Sequence, residues 1–91
     1  MSEPLKARAL ITNKLGLHAR AAAKLVEAAA RFQSNIRVVK DCETVDARSI
    51  LGLMMLNARP GTSIDVVADG PDAAEAMHAI LALIEAKFGE D

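Results

Sequence analysis

Ninety-one residues and 9.6 kDa leave room for one domain. Eleven Lys and Arg against twelve Asp and Glu give a net charge of −1, and two Phe are the only aromatics, so neither a basic field nor a set of base-stacking rings is present for nucleic acid. The hydrophobic fraction of 52% includes 18 Ala, which predicts a small core built from Leu, Ile, Val and Met.

Alternation opens the chain. Leu5, Ala7, Ala9 and Ile11 fall on one face and Lys6 and Arg8 on the other, predicting a half-buried strand over 5–12. Residues 13–17 contain Gly16 and read as a loop. Over 19–32 the spacing becomes three and four, with Ala22, Leu25, Val26, Ala29 and Phe32 on one face and Lys24, Glu27 and Arg31 off it. This predicts a helix whose alanines let other elements approach closely. Residues 36–40 form a short β-branched run, with 43–46 its expected hairpin partner across a turn that lacks Gly and leaves the turn type open. Residues 47–56 carry Ile50, Leu51, Leu53, Met54 and Leu56, a short helix with more than one apolar side. Arg59-Pro60-Gly61 is a turn, and over 62–68 Ile64 and Val66 alternate with Ser63 and Asp65 as another strand. Gly70-Pro71-Asp72 opens the last helix with Pro71 in its first turn, and Ala73, Met77, Ile80, Ile84 and Phe88 form its buried stripe. The order βαββαβα predicts an α+β fold, one sheet with helices on a single face.

The sharpest local feature is Gly16-Leu17-His18-Ala19-Arg20, a histidine where a glycine-containing loop becomes a helix. One reading makes His18 an exposed polar residue or a cap. The other begins with the unpaired first-turn N–H groups, which together with the helix dipole form an anion site. Arg20 adds a forked cation to that turn. A phosphoryl group carried by His18 would then meet the backbone donors of Ala19 and Arg20 and the Arg20 guanidinium. Ser49 stands where the short helix begins and reads as an N-cap hydroxyl. Leu17, Ile50, Leu51 and Met54 are either core residues or an apolar rim around His18; a short helix with apolar residues on adjacent faces cannot bury them all, and an exposed remainder marks a docking patch.

Two segments carry a resemblance. ITNKLGLHARAAAKLV (11–26) resembles the active-site segment of the histidine-containing phosphocarrier (HPr) family of the phosphoenolpyruvate-dependent phosphotransferase system, nitrogen-branch relatives included. VDARSILGLMML (45–56) resembles the second-helix region of the same family. The resemblance implies one HPr-like domain over 1–91, an open-faced β-sandwich in which three helices cover one face of a four-stranded antiparallel sheet. It implies that His18 is phosphorylated on Nδ1 and that Arg20 is the phosphate-adjacent arginine. Ile50, Leu51 and Met54 match positions that meet partner proteins, with Arg20 and Lys24 supplying charge beside them. Ser49, next to Arg48, matches a serine that a dedicated HPr kinase/phosphorylase modifies in some bacteria. Where the family commonly has Pro after the arginine, this chain has Ala21, which keeps helix propensity and adds an N–H.

The implied function is a carrier that takes a phosphoryl group from phospho-enzyme I and gives it to an enzyme IIA of a sugar or nitrogen branch. Such a protein is a covalent intermediate of a relay rather than an enzyme acting alone. The alternative is a regulatory interaction domain that binds partners according to its phosphorylation state. No cofactor or metal is expected, and the partners exclude nucleic acid. With Lys6 and Arg8 interrupting the first apolar residues, and no apolar run near ~20 residues, the expectation is a cytoplasmic monomer without membrane insertion. His78 falls off the last helix's stripe and reads as a surface residue, and Cys42 sits near a hairpin tip.

Overall fold

The computed structural model describes residues 3–90. The elements run β1 (Leu5–Leu10), α1 (Ala19–Ala29), β2 (Asn35–Lys40), β3 (Glu43–Asp46), α2 (Ile50–Met55), β4 (Ser63–Asp69) and α3 (Ala73–Glu85), with a 3-10 turn at Lys87–Gly89. Every strand pairing is antiparallel and the sheet order is β1-β4-β2-β3. Val66 of β4 lies opposite both Ala7 of β1 and Val38 of β2, so one apolar row crosses three strands. Residues two apart share a face, and Ile36, Val38, Ile64, Val66 and Ala68 are buried on that face. α3 lies over β1 and β4, α2 over β3, and α1 packs against both other helices. The predicted α+β open-faced sandwich is the architecture observed. No helix among the described residues is long and apolar enough to cross a membrane.

The elements differ from the sequence expectations mainly at their ends. β1 stops at Leu10 rather than residue 12, because Ile11 turns its N–H to Thr62 O (2.9 Å) and its carbonyl to Gly61 N (2.7 Å) while its side chain enters the core. α1 ends at Ala29, three residues short of Phe32, which is only half-buried. The Arg48 guanidinium explains this end: it donates to the carbonyls of Ala29 (3.2 Å), Phe32 (2.6 Å) and Ser34 (3.1 Å), satisfying acceptors that a longer helix would have used. The β2–β3 hairpin has a two-residue loop in which Asp41 takes the left-handed conformation (φ 55°), one of the side chains that tolerate it without glycine. α2 begins only at Ile50, and Ser49 caps it by accepting from Gly52 N at 3.0 Å.

Pro71 was expected in the first turn of α3, but it precedes the N-cap, Asp72. Nor does the Asp72 carboxylate cap its own helix. It accepts from Gln33 N (3.0 Å), Ser34 N (2.9 Å) and Ser34 Oγ (2.5 Å), while Ser34 Oγ accepts from Asp72 N (3.1 Å). The Ser34 hydroxyl first, and then the Gln33 N–H, hold the Asp72 carboxyl below its ordinary value of 3.8. A depressed carboxyl stabilises the fold above its unfolded value and loses that contribution as pH falls through the folded one. Asp72→Asn is therefore expected to lower the melting temperature at neutral pH, with the gap to wild type closing only below about pH 3.8. A gap that stays constant between neutral pH and pH ~3 would remove the carboxylate from this junction.

Candidate functional site

The loop into α1 is shaped by two constraints. Gly16 has φ 68°, and a Cβ there would meet Ala58 O at 2.5 Å, so no larger residue fits. Leu17 N then donates to Ala58 O at 2.9 Å while the Leu17 side chain, 4% exposed, inserts into the core. The next residue, His18, is left outside the helix in an extended conformation as its N-cap.

Two hydrogen bonds together set the tautomer of a neutral His18 ring. The Arg20 N–H can only donate, so Nδ1, 3.3 Å away, is the acceptor. The ring proton of neutral His18 consequently resides on Nε2, which donates to Glu90 Oε2 at 2.6 Å. The other carboxylate oxygen, Oε1, accepts from Asn13 Nδ2 at 3.0 Å, and the same Asn13 amide donates to Gly16 O at 2.7 Å. Turning that amide over would set Oδ1 against two oxygens, so its orientation is determined. The Asn13 amide is the main cause holding the Glu90 carboxyl below its ordinary value; burial opposes it, and the His18 ring and the Lys24 charge add to it.

Nδ1 thus faces the start of α1. Of the first-turn amides, that of Arg20 is occupied by Nδ1, whereas those of Ala19 and Ala21 have no acceptor among the described residues. The Arg20 guanidinium is exposed and has no hydrogen-bond or ion-pair partner among them. Alanine at position 21 contributes an open N–H that proline would lack. The arrangement suits an anionic group attached to Nδ1, with open backbone donors at the helix start and the exposed Arg20 cation in the same turn.

The surroundings revise part of the expected rim. Leu17 is 4% exposed and packs into the core, yet it still lines the groove at His18. Ile50 (42% exposed), Leu51 (69%) and Met54 (42%) do present an apolar surface. Leu15 and Met55, each 68% exposed, extend it and were not singled out from the sequence. A shallow groove brings His18 together with Leu15, Leu17, Met54, Asn57, Ala58 and Arg59. Lys24, expected beside Arg20 as a charge for partners, is turned inward: its Nζ donates to Phe88 O at 2.6 Å. Ser49 is the N-cap predicted for it, while Arg48 has its guanidinium committed to the end of α1 rather than to Ser49. His78 is exposed on the surface as expected, and Cys42, in the hairpin loop, is exposed too.

Sequence reasoning missed Asn13 and Glu90. The latter lies 72 positions from His18, and no local spacing could have paired them. Asn13 carries a weak signal, a polar residue in the loop beside Gly16, yet it is fully buried.

Fold and site together define a class: an open-faced β-sandwich that presents a histidine at the start of its first helix. The profile described as "PTS HPr component phosphorylation site" matches residues 5–86. The phosphocarrier protein HPr of Cupriavidus necator is 52% identical over 80 residues, covering 88% of this chain and 90% of that protein. The phosphocarrier protein NPr of Shewanella violacea is 45% identical over 86 residues, covering 94% of each. A crystal structure of HPr from Thermoanaerobacter tengcongensis superposes with a TM-score of 0.92 at 45% identity, covering 96% of this chain and 98% of that one; that organism's HPr has also been solved as a dimer. The chain belongs to the HPr phosphocarrier family of the phosphotransferase system, which includes the NPr proteins.

Proposed function

We propose that His18 is the phosphoryl-carrying residue, accepting the group on Nδ1 from phospho-enzyme I and passing it to a histidine of an enzyme IIA. The observation that supports this most is the direction of Nδ1: it carries the lone pair and faces the amides of the α1 start, with Arg20 unpaired beside it. Transfer between two nitrogens needs alignment and charge stabilisation more than a general base, and His18, the open amides and Arg20 supply both. The protein acts as a monomer of one HPr-like domain in the cytoplasm, docking partners through Ile50, Leu51 and Met54, joined by Leu15 and Met55. Incubation with enzyme I and phosphoenolpyruvate should add one phosphoryl group, and a panel of enzyme IIA proteins should reveal which branch discharges it. Absence of any transfer from phospho-enzyme I would overturn the carrier reading in favour of a phosphorylation-sensed interaction domain.

Ser49 is proposed as a regulatory position, a substrate for an HPr kinase/phosphorylase where a cell has one. Its hydroxyl already caps α2, the helix that carries the exposed Ile50, Leu51 and Met54. A phosphate there brings a dianion into an apolar docking contact, which costs desolvation on binding. Ser49→Asp, with one charge, should slow loading of His18 by enzyme I while leaving the melting temperature near wild type, because Asp is also a good N-cap. Ser49→Ala should load normally and melt lower, by about 1 kcal/mol of lost cap. If Ser49→Asp loads as fast as wild type across a range of enzyme I concentrations, Ser49 is a helix cap and nothing more.

A further inference from the structure

The His18–Glu90 contact is delivered by an unusual piece of backbone. After α3, Lys87, Phe88 and Gly89 have φ of 57°, 55° and 75°, three consecutive left-handed residues of which two carry side chains. That conformation is unfavourable for Lys and Phe and persists where surrounding contacts impose it. Two such contacts are evident: Phe88 is buried in the core at 1% exposure, and its carbonyl accepts from Lys24 Nζ. The turn aims the following residue, Glu90, at the His18 ring. From the opposite side Asn13 secures the second carboxylate oxygen, although its own Oδ1 is left buried without a partner among the described residues. Left-handed backbone and an orphaned acceptor, both converging on one carboxylate, mark a position held for its chemistry rather than for packing.

We propose that Glu90 is a positioning residue for phosphoryl transfer through His18, holding the ring proton on Nε2 so that the Nδ1 lone pair meets the donor. The inference deepens the carrier reading and rests on it. In the loading step the Nδ1 electron pair forms the new N–P bond. The donor N–P bond breaks with its pair returning to the donor ring, which leaves neutral when its other nitrogen carries a proton. No proton moves on His18: Nε2–H is retained, the ring becomes formally cationic, and the phosphoryl group keeps its charge. The Glu90 carboxylate therefore faces a neutral N–H before transfer and a cationic N–H after it. A contact that strengthens as the bond forms favours the transition state over the free carrier. The groups facing Glu90 are the Asn13 amide from the loop before α1, and His18 and Lys24 from α1 and its cap; all three favour the ionised carboxylate.

Glu90→Gln provides the test, because it keeps the size of the side chain and inverts its hydrogen-bonding logic. With Asn13 Nδ2 donating to the amide oxygen, the new NH2 group faces Nε2 and requires a lone pair there. The full chain, labelled with 15N-histidine, is compared as wild type, Glu90→Gln and Glu90→Ala at about pH 8, where an ordinary histidine is neutral. Wild type should show the Nε2–H tautomer of His18, whereas Glu90→Gln should move toward Nδ1–H and Glu90→Ala should show a mixture. Single-turnover loading from phospho-enzyme I should be about tenfold slower in Glu90→Gln, as expected for one lost charge-assisted contact. A packing role predicts the opposite: the isosteric Gln behaves like wild type and only Ala suffers. If His18 labels normally but Glu90→Gln keeps both the wild-type tautomer and the wild-type rate, the positioning role is overturned. Slowed loading with an unchanged tautomer overturns it as well. Loss of labelling in none of these variants and continued labelling of His18→Ala would instead sink the carrier reading itself.

Discussion

Replacing His18 with Ala is expected to abolish loading from phospho-enzyme I and phosphoenolpyruvate while leaving a folded protein. The side chain is 26% exposed and touches little of the core, its recorded partners being the Arg20 N–H and the Glu90 carboxylate. Removing it costs an N-cap interaction, about 1 kcal/mol, well short of the stability of an ordinary small domain. A modest drop in melting temperature should therefore accompany complete loss of label. In the wild type the label should be bound through nitrogen and so be acid-labile and alkali-stable. His78→Ala is the matched control: that histidine is exposed on α3, outside the site, and its variant should label like wild type. A folded His18→Ala protein that still takes up one acid-labile phosphoryl group would place the chemistry elsewhere.

Arg20→Ala should produce the second-largest effect, slowing loading of His18 and its discharge to an enzyme IIA alike. Arg20 sits in the first turn of α1 with its guanidinium exposed and unpaired among the described residues, so it pays no intramolecular partner to reach an incoming phosphoryl group. Stabilisation of charge in transfer by one such group is worth ~2–4 kcal/mol, a fall in single-turnover rate of about 30- to 1000-fold. Arg20→Lys should recover only part of it, because an ammonium cannot reproduce the planar fork. The fold should be untouched, since the open amides and the His18 cap do not depend on this side chain. Equal single-turnover rates for wild type and Arg20→Ala would take Arg20 out of the transfer step.

How much of this was legible beforehand depends on the range of the signal. The alternation in β4 and the three-and-four spacing in α1 report local periodicity, and both elements stand where that periodicity places them. The junction Gly16-Leu17-His18 was legible for the same reason: a left-handed glycine and a helix start are adjacent in sequence. Element ends were less so. α1 terminates at Ala29 because Arg48, nineteen positions away from it, takes the last carbonyls. Leu17 illustrates an ambiguity that spacing cannot resolve, since an apolar residue in a loop is consistent with either core or rim, and this one packs in the core while lining the groove at His18. Glu90 lay beyond reach altogether. Its role depends on a left-handed turn formed by Lys87 and Phe88, residues with no preference for that conformation.

The position of β4 has a bearing on how the molecule comes into being. β4 is the last strand in the chain, yet it is the one that joins β1 to the rest of the sheet. Until residues 63–69 have been synthesised, β1 has no partner strand and β2 has only the β3 hairpin. During translation the nascent chain can consequently form α1 and the hairpin from local contacts, but it must wait for β4 before the apolar row from Ala7 through Val66 to Val38 closes. That closure spans some sixty residues and carries a loop entropy cost that α1 and the hairpin do not. His18, made early in translation, acquires its surroundings only once Glu90 and β4 have followed, so an incomplete chain carries the histidine without the frame that orients it.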